Sequence, residues 1–360
     1  MLPLILASAA LVAFAPKHAT KPAPKAPVVQ GPTVEGWIYN QTDKPLAASV
    51  GLIPMSLRAQ LRDNPDKVVQ SLTVKSKKKP TPGFKLTGLT PGLYLINVRA
   101  KGCQTLQVPV LFGEEGLKDL SLVPRPEKPK GDLKPISTDA NLVKLEALYT
   151  AQAARVAKYQ AALRDPANKA VKGPVVDWSA DAEALSKDLK TETDANTQAL
   201  AAACYLELAA MMAKLDPATA SLALDKLPAK SPWWALDPKM ASSAFPAAGR
   251  NNDWYPFREA LSKENPDPEV RAYGYFAQLS TAINKGDKDK QKALFQILTT
   301  EYKTTLWGNS AKRFDPDKQA PAAVPAVPSP APAAPAPAAP EAPAPVPAPP
   351  APPAPAEPVK

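Results

Sequence analysis

The residues able to do chemistry are few. The chain of 360 residues has one histidine, His18, and two cysteines, Cys103 and Cys204. His18 stands just after an N-terminal apolar run. The rest of the chain therefore has no imidazole for a Ser-His-Asp or Cys-His arrangement, for a zinc site or for a proton relay. Two distant thiols make no metal cage. Each lies in an apolar pattern and reads as a separate buried thiol; a disulfide joining them is the alternative for an exported chain. No G-x-x-x-x-G-K-[ST] or G-x-G-x-x-G stands in a strand-to-helix setting, so phosphate cradling is not encoded. Carboxylates remain. Asp287/Asp289 and Asp315/Asp317 are spaced pairs, but both lie among lysines in turns and read as caps or solvated groups. A glycosidase would need two acids facing each other across a cleft. The expectation is a protein without catalytic residues, metal site or cofactor.

Binding chemistry is better represented. Trp233-Trp234 and Trp254-Tyr255 sit in Pro-containing connections between helices. There they either offer faces on which a sugar or peptide stacks, or plug the core where helices turn. The net charge of +10 is uneven. Residues 20–136 hold about 18 Lys and Arg against about 9 acids, whereas 137–320 hold about 24 against about 23. Lys75, Lys77, Lys78 and Lys79 form a basic loop that either meets an anionic surface or is simply solvated. No aromatic residue is interleaved with these lysines, so nucleic acid is not expected as a partner.

The elements that must position these groups divide the chain into parts. Leu2 to Ala15 is apolar or small throughout, too short to span a bilayer and suited to a secretory leader. It predicts a signal peptide over 1–19, export to periplasm, envelope or medium, and no transmembrane span in the mature chain. A Lys/Pro linker follows at 20–32. Seven short apolar runs fill 33–124: 33–39, 46–53, 67–75, 84–89, 93–100, 103–112 and 117–123. They are separated by turn residues such as Asn40 to Pro45 and Pro91-Gly92. In the fifth, Tyr94, Ile96 and Val98 alternate with Leu95, Asn97 and Arg99. This period of two with one wet face belongs to a small antiparallel sandwich. After a second linker, 125–136, helical spacing takes over at 137–318. Leu142, Leu145, Tyr149, Val156, Tyr159 and Leu163 mark one buried face behind a Ser137-Thr138-Asp139 cap. Asp216-Pro217 and Asp267-Pro268 repeat one start signal, and Lys285-Gly286 is a stop. Segments 203–234 and 273–307 are faintly alike and suggest a duplicated helical hairpin. From 319 to 360 the text is almost pure Pro and Ala, predicting a disordered tail with polyproline II character.

Within 33–124 the order VEGWIYNQTDKPLAASVGLI, GFKLTGLTPGLYLINVRAKG and LKDLSLV resembles the carboxypeptidase regulatory-like (transthyretin-related) module. Gly36, Pro45, Leu46, Val50, Leu52, Gly83, Phe84, Leu86, Gly92, Tyr94, Ile96, Val98, Ala100 and Gly102 stand at matching places. Cys103 replaces the usual aromatic after the last glycine. The resemblance implies a seven-stranded Greek-key β-sandwich used as an accessory module, with no catalytic residues of its own. The second helical segment also resembles the part preceding the thioredoxin domain in some bacterial envelope redoxins, but no C-x-x-C follows and disulfide exchange by that route is absent.

The whole reads as a multidomain β + α chain: sandwich, all-α helical-hairpin domain, tail. Its expected work is binding or scaffolding of an unknown protein or glycan in the cell envelope. The alternatives are a carbohydrate-binding accessory protein and a hydrolase using a carboxylate pair.

Overall fold

The computed structural model describes residues 31–57, 70–74, 83–129, 131–168 and 175–317. The leader, most of the first linker, the Lys75–Lys79 loop and the Pro/Ala tail lie outside the described residues. Among them seven strands precede nine α-helices. The strands are β1 Val34–Ile38, β2 Ala48–Pro54, β3 Gln70–Val74, β4 Phe84–Leu86, β5 Gly92–Arg99, β6 Leu106–Phe112 and β7 Leu117–Leu122. They form a three-stranded sheet, β4-β1-β7, and a four-stranded sheet, β3-β2-β5-β6.

The second sheet is antiparallel throughout. The first is not: β1 pairs antiparallel with β4 but parallel with β7. This corrects the antiparallel expectation, since the strand turns read from the sequence leave the first and last strands free to run side by side. The β1–β7 register shifts between Val34 and Gly36. Gly36 is needed there: a Cβ would stand 2.2 Å from the carbonyl oxygen of Leu120.

Register sorts the larger sheet into two faces. Val50, Val98 and Leu106 lie abreast, as do Leu52, Ile96 and Val108. All are at most 3 % exposed and share one core with Val34, Ile38, Phe84, Leu86 and Leu122 of the other sheet. The opposite face carries Ile53, Leu95 and Pro109 abreast, then Gly51, Asn97 and Gln107. Its alternation with the core face predicts contact with water, yet β5 is buried from Leu93 through Val98. The reason is the helical part, which lies on this face.

The helices are α1 Ala140–Arg164, α2 Ser179–Thr191, α3 Ala195–Ala210, α4 Pro217–Lys226, α5 Met240–Ala247, α6 Trp254–Glu264, α7 Pro268–Lys285, α8 Lys288–Thr300 and α9 Leu306–Ala311. Their starts follow the chemistry of the sequence. Asp139, Asp194, Asp216, Asp267 and Asp287 each accept a backbone N–H in the first turn with a side-chain oxygen. They satisfy donors that the helix itself leaves free. Gly286 ends α7 in the left-handed region, φ 70°. Both segments that are alike in sequence are helical hairpins, α3–α4 and α7–α8.

On α1 the buried face begins as expected with Leu142, Leu145 and Tyr149 but continues through Gln152 and Arg155, while Leu163 is 53 % exposed. The stripe turns polar where it passes over the sheet. The 125–136 segment is not a free linker either. Gln104 N–H donates to Arg125 O, Val123 N–H to Ile136 O, and Ile136 is fully buried. Strands and helices through Pro316 thus form one compact unit; one core runs from the strands to Tyr273 of α7, and a second, with Leu279, Leu294 and Leu298, joins α7, α8 and α9. Among the described residues no helix is long and apolar enough to cross a membrane.

Candidate functional site

Where the helices rest on the sheet they leave a cleft of about 530 Å³. Its floor is the second face of the larger sheet, with Ile53, Leu95, Asn97, Arg99 and Gln107. One wall is α1, contributing Tyr149, Gln152, Ala153, Val156 and Gln160. Glu207 of α3, the Ala235–Lys239 connection before α5, Glu269 of α7, and Leu306 and Trp307 of α9 complete it.

Four carboxamides, Asn97, Gln107, Gln152 and Gln160, share the polar lining with five charged side chains, Arg99, Glu207, Asp237, Lys239 and Glu269. Gln107 Nε2 donates to Asn97 Oδ1 at 3.3 Å. Gln152 donates from Nε2 to Glu207 Oε2 at 2.6 Å and accepts at Oε1 from Arg155 Nε at 3.3 Å. The Arg155 Nε also lies 3.5 Å from Asp181 Oδ1. Buried polar groups in such a chain hold one another in fixed orientations, because leaving any one unmatched is costly.

Trp307 stands at one end of the cleft, half-buried. Tyr273 meets its ring edge-on at 5.0 Å, and Phe276 lies tilted to it at 5.1 Å. The Lys239 Nζ lies over the ring, 5.7 Å from its centroid. Beside it, both carboxyl oxygens of Glu269 accept the backbone N–H of Leu306, at 3.1 and 3.0 Å. Burial pushes the Glu269 carboxyl up to about 7; the charge of Asp267 adds to this and the Leu306 amide opposes it. Burial also pushes the Tyr273 phenol up to about 12. This end of the cleft thus sets the buried Glu269 carboxyl beside two exposed residues, Lys239 and Leu306.

The residues singled out in the sequence lie elsewhere. Trp233 is 2 % exposed and Trp234 fully buried. The Trp234 Nε1 donates to Leu227 O and Pro228 O, and its ring meets Phe257 at 5.2 Å. Neither tryptophan offers a face to a ligand; of the two readings of this pair, their burial fits the one in which they plug the core where helices turn. Trp254 is half-buried against Phe245, and Tyr255 is 49 % exposed. The Tyr255 ring lies over the Arg258 guanidinium at 4.5 Å, with Lys285 at 5.6 Å. These four aromatic residues do not line the cleft. Lys75, Lys77, Lys78 and Lys79 fall outside the described residues.

Asp287 is the cap of α8, Asp289 lies in its first turn, and neither they nor Asp315 and Asp317 line the cleft. Both cysteines are free thiols; Cys204 is buried and Cys103, expected to be buried, is only half so. Its position just after β5, beyond the covered part of that strand, accounts for the difference. Among the described residues no three His, Cys, Asp or Glu are grouped so as to hold a metal ion.

Sequence reasoning missed Gln152, Glu207, Glu269 and Trp307. Two of them carried a signal: Gln152 stands in register with the apolar stripe of α1, and Glu207 is an acid within a helix otherwise buried on nearly all sides. Compared with protein-family models, with curated proteins and with solved structures, the chain matches none.

Proposed function

We propose that the chain is an exported, non-catalytic cell-envelope protein that binds a ligand in the cleft between its larger sheet and its helices. One observation carries this reading. Asn97 and Gln107 from the sheet, Gln152 and Gln160 from α1, and Trp307 from α9 converge on one concavity of about 530 Å³. An apolar pocket with a few convergent polar groups is the usual form of a small-ligand site. The apolar run at 2–15 supports export. The order of strand motifs supports reading residues 33–124 as a Greek-key sandwich of the carboxypeptidase regulatory-like kind. The chemistry of carboxamides beside an aromatic ring favours a glycan or peptide of the envelope as ligand, and so keeps the carbohydrate-binding alternative in view.

A hydrolase is the second reading, because Glu207, Asp237 and Glu269 line the same cleft. Against it, both oxygens of Glu269 are committed to one backbone amide, which suits a structural clasp better than a proton donor.

Ala153 gives the test. It is exposed on α1 and lines the cleft, so Ala153→Trp fills the space without touching the core. Glycan and peptide fractions of the envelope are passed over the immobilised chain and over this variant. Components retained by the first and lost by the second, at equal melting temperature, support the reading; equal retention rejects it. Turnover of a retained component, abolished by Glu207→Gln or Glu269→Gln, would replace it with the hydrolase.

A further inference from the structure

We propose that the Glu269–Trp307 end of the cleft recognises a primary ammonium group on the ligand, which displaces the ammonium of Lys239 from the face of Trp307. The inference rests on the cleft being a ligand site and names the chemistry it selects.

Three observations converge. First, Glu269 is a carboxyl 7 % exposed that lines the cleft, and among the described residues no Lys or Arg stands within ion-pair distance of it. A buried carboxyl without a cation resists ionisation, which is the reason its titration lies near 7. Second, the ring of Trp307, the residue next to the Leu306 amide that Glu269 holds, already carries an ammonium over its face, that of Lys239. Indole is the best of the aromatic rings for this, and the attraction grows as water is removed. Third, the lining charges are Glu207, Asp237 and Glu269 against Arg99 and Lys239. The acids outnumber the bases once Glu269 is ionised.

Lys239 reaches the ring on a flexible four-carbon stem. A ligand ammonium held between the Glu269 carboxylate and the indole face gains both partners, whereas among the described residues the Lys239 ammonium meets only the ring. Lys239, an exposed residue, swings off the ring and stays in water. The class of ligand is one with an unhindered primary amine: a lysine or diamino-acid side chain, or an amino sugar.

The full chain is titrated with Nα-acetyl-lysine-N-methylamide and with the same compound acetylated at Nε. Binding is followed through the indole resonance of Trp307, identified by its loss in Trp307→Phe. The amine shifts this resonance and the acetylated probe binds at least about tenfold more weakly. Glu269→Gln keeps an oxygen for the Leu306 amide and lowers affinity for the amine about tenfold. Lys239→Met removes the internal competitor and raises it severalfold. Equal binding of the two probes, silence of the Trp307 resonance, or weaker binding by Lys239→Met would each overturn the proposal. The last result would mark Lys239 as the partner of an anionic ligand. Should Glu269→Gln not fold, the probe pair and Lys239→Met still decide. An envelope component that Ala153→Trp no longer retains, but that Lys239→Met and Glu269→Gln hold unchanged, leaves the cleft reading intact and removes the ammonium site alone.

Discussion

Arg125, just beyond the last strand, donates from Nη2 to Oε2 of Glu146 on the first helix at 3.1 Å, and the two ends of this pair are unequally exposed. The Glu146 side chain is 5 % exposed and that of Arg125 39 %. The asymmetry predicts unequal costs. Arg125→Ala strands a buried carboxylate whose remaining neutral donor is the Thr150 hydroxyl, at 3.1 Å. It should destabilise by about 2–3 kcal/mol. Glu146→Gln leaves a guanidinium that water can reach, and should cost about 1 kcal/mol or less. Denaturant unfolding of both variants decides; equal costs would show that the pair contributes as a surface bridge.

Glu269 makes stability depend on pH in a stated direction. Its carboxyl titrates at about 7 in the folded chain and near the ordinary ~4.3 when unfolded. The stability it contributes is thus present below about 4.3 and is lost as pH rises through 7. Water in the cleft screens the charge, so the loss between pH 5 and 8 is on the order of 1–2 kcal/mol. Glu269→Gln should flatten that part of the profile. An unchanged slope in thermal melts across this range would reject the assignment.

Gly274 inside α7 and Gly286 at its C-terminal cap should respond differently to alanine. A Cβ on Gly274 would stand 2.8 Å from Ser262 N and 2.9 Å from Ser262 Cα, both backbone atoms of α6. Gly274→Ala must push two tightly packed helices apart and should cost about 1–3 kcal/mol. At Gly286 nothing lies within 4 Å, and only the positive φ opposes a side chain, at about 1 kcal/mol. Melting temperatures that fall equally in both variants would contradict this ranking.

The aromatic residues should separate in the same way. Trp234→Ala empties a fully buried site and should cost about 3–5 kcal/mol. Tyr255→Ala removes a half-exposed ring over Arg258 and should cost about 1 kcal/mol or less. Any loss of ligand retention in Trp234→Ala should therefore track the unfolded fraction. Retention lost by folded protein would restore this tryptophan as a contact.

Much of the scaffold was legible in the residues. The strand positions followed from alternation and turn chemistry, and Asp139, Asp216, Asp267 and Gly286 mark helix ends by the same local rules in sequence and structure. These features depend on neighbours a few residues away. The cleft depends instead on which sheet face the helices cover, and that is a long-range fact. Its trace was present in Leu93 and Leu95, two large apolar side chains on a face read as wet. Glu269 gave no sign at all: an acid in the first turn after Asp-Pro looks like any residue placed to favour the helix dipole. Only the arrival of Leu306 from another helix makes it unusual.

The covering of β5 on both sides also bears on how freely this strand assembly can be moved between proteins. Modules that travel as independent cassettes must carry a finished exterior wherever they are inserted. Here Leu93, Leu95 and Ile53 would become a sticky, unfinished surface if the helices were cut away. The strand portion depends on its companion for that cover, and a substitution on either side of the seam has to suit both.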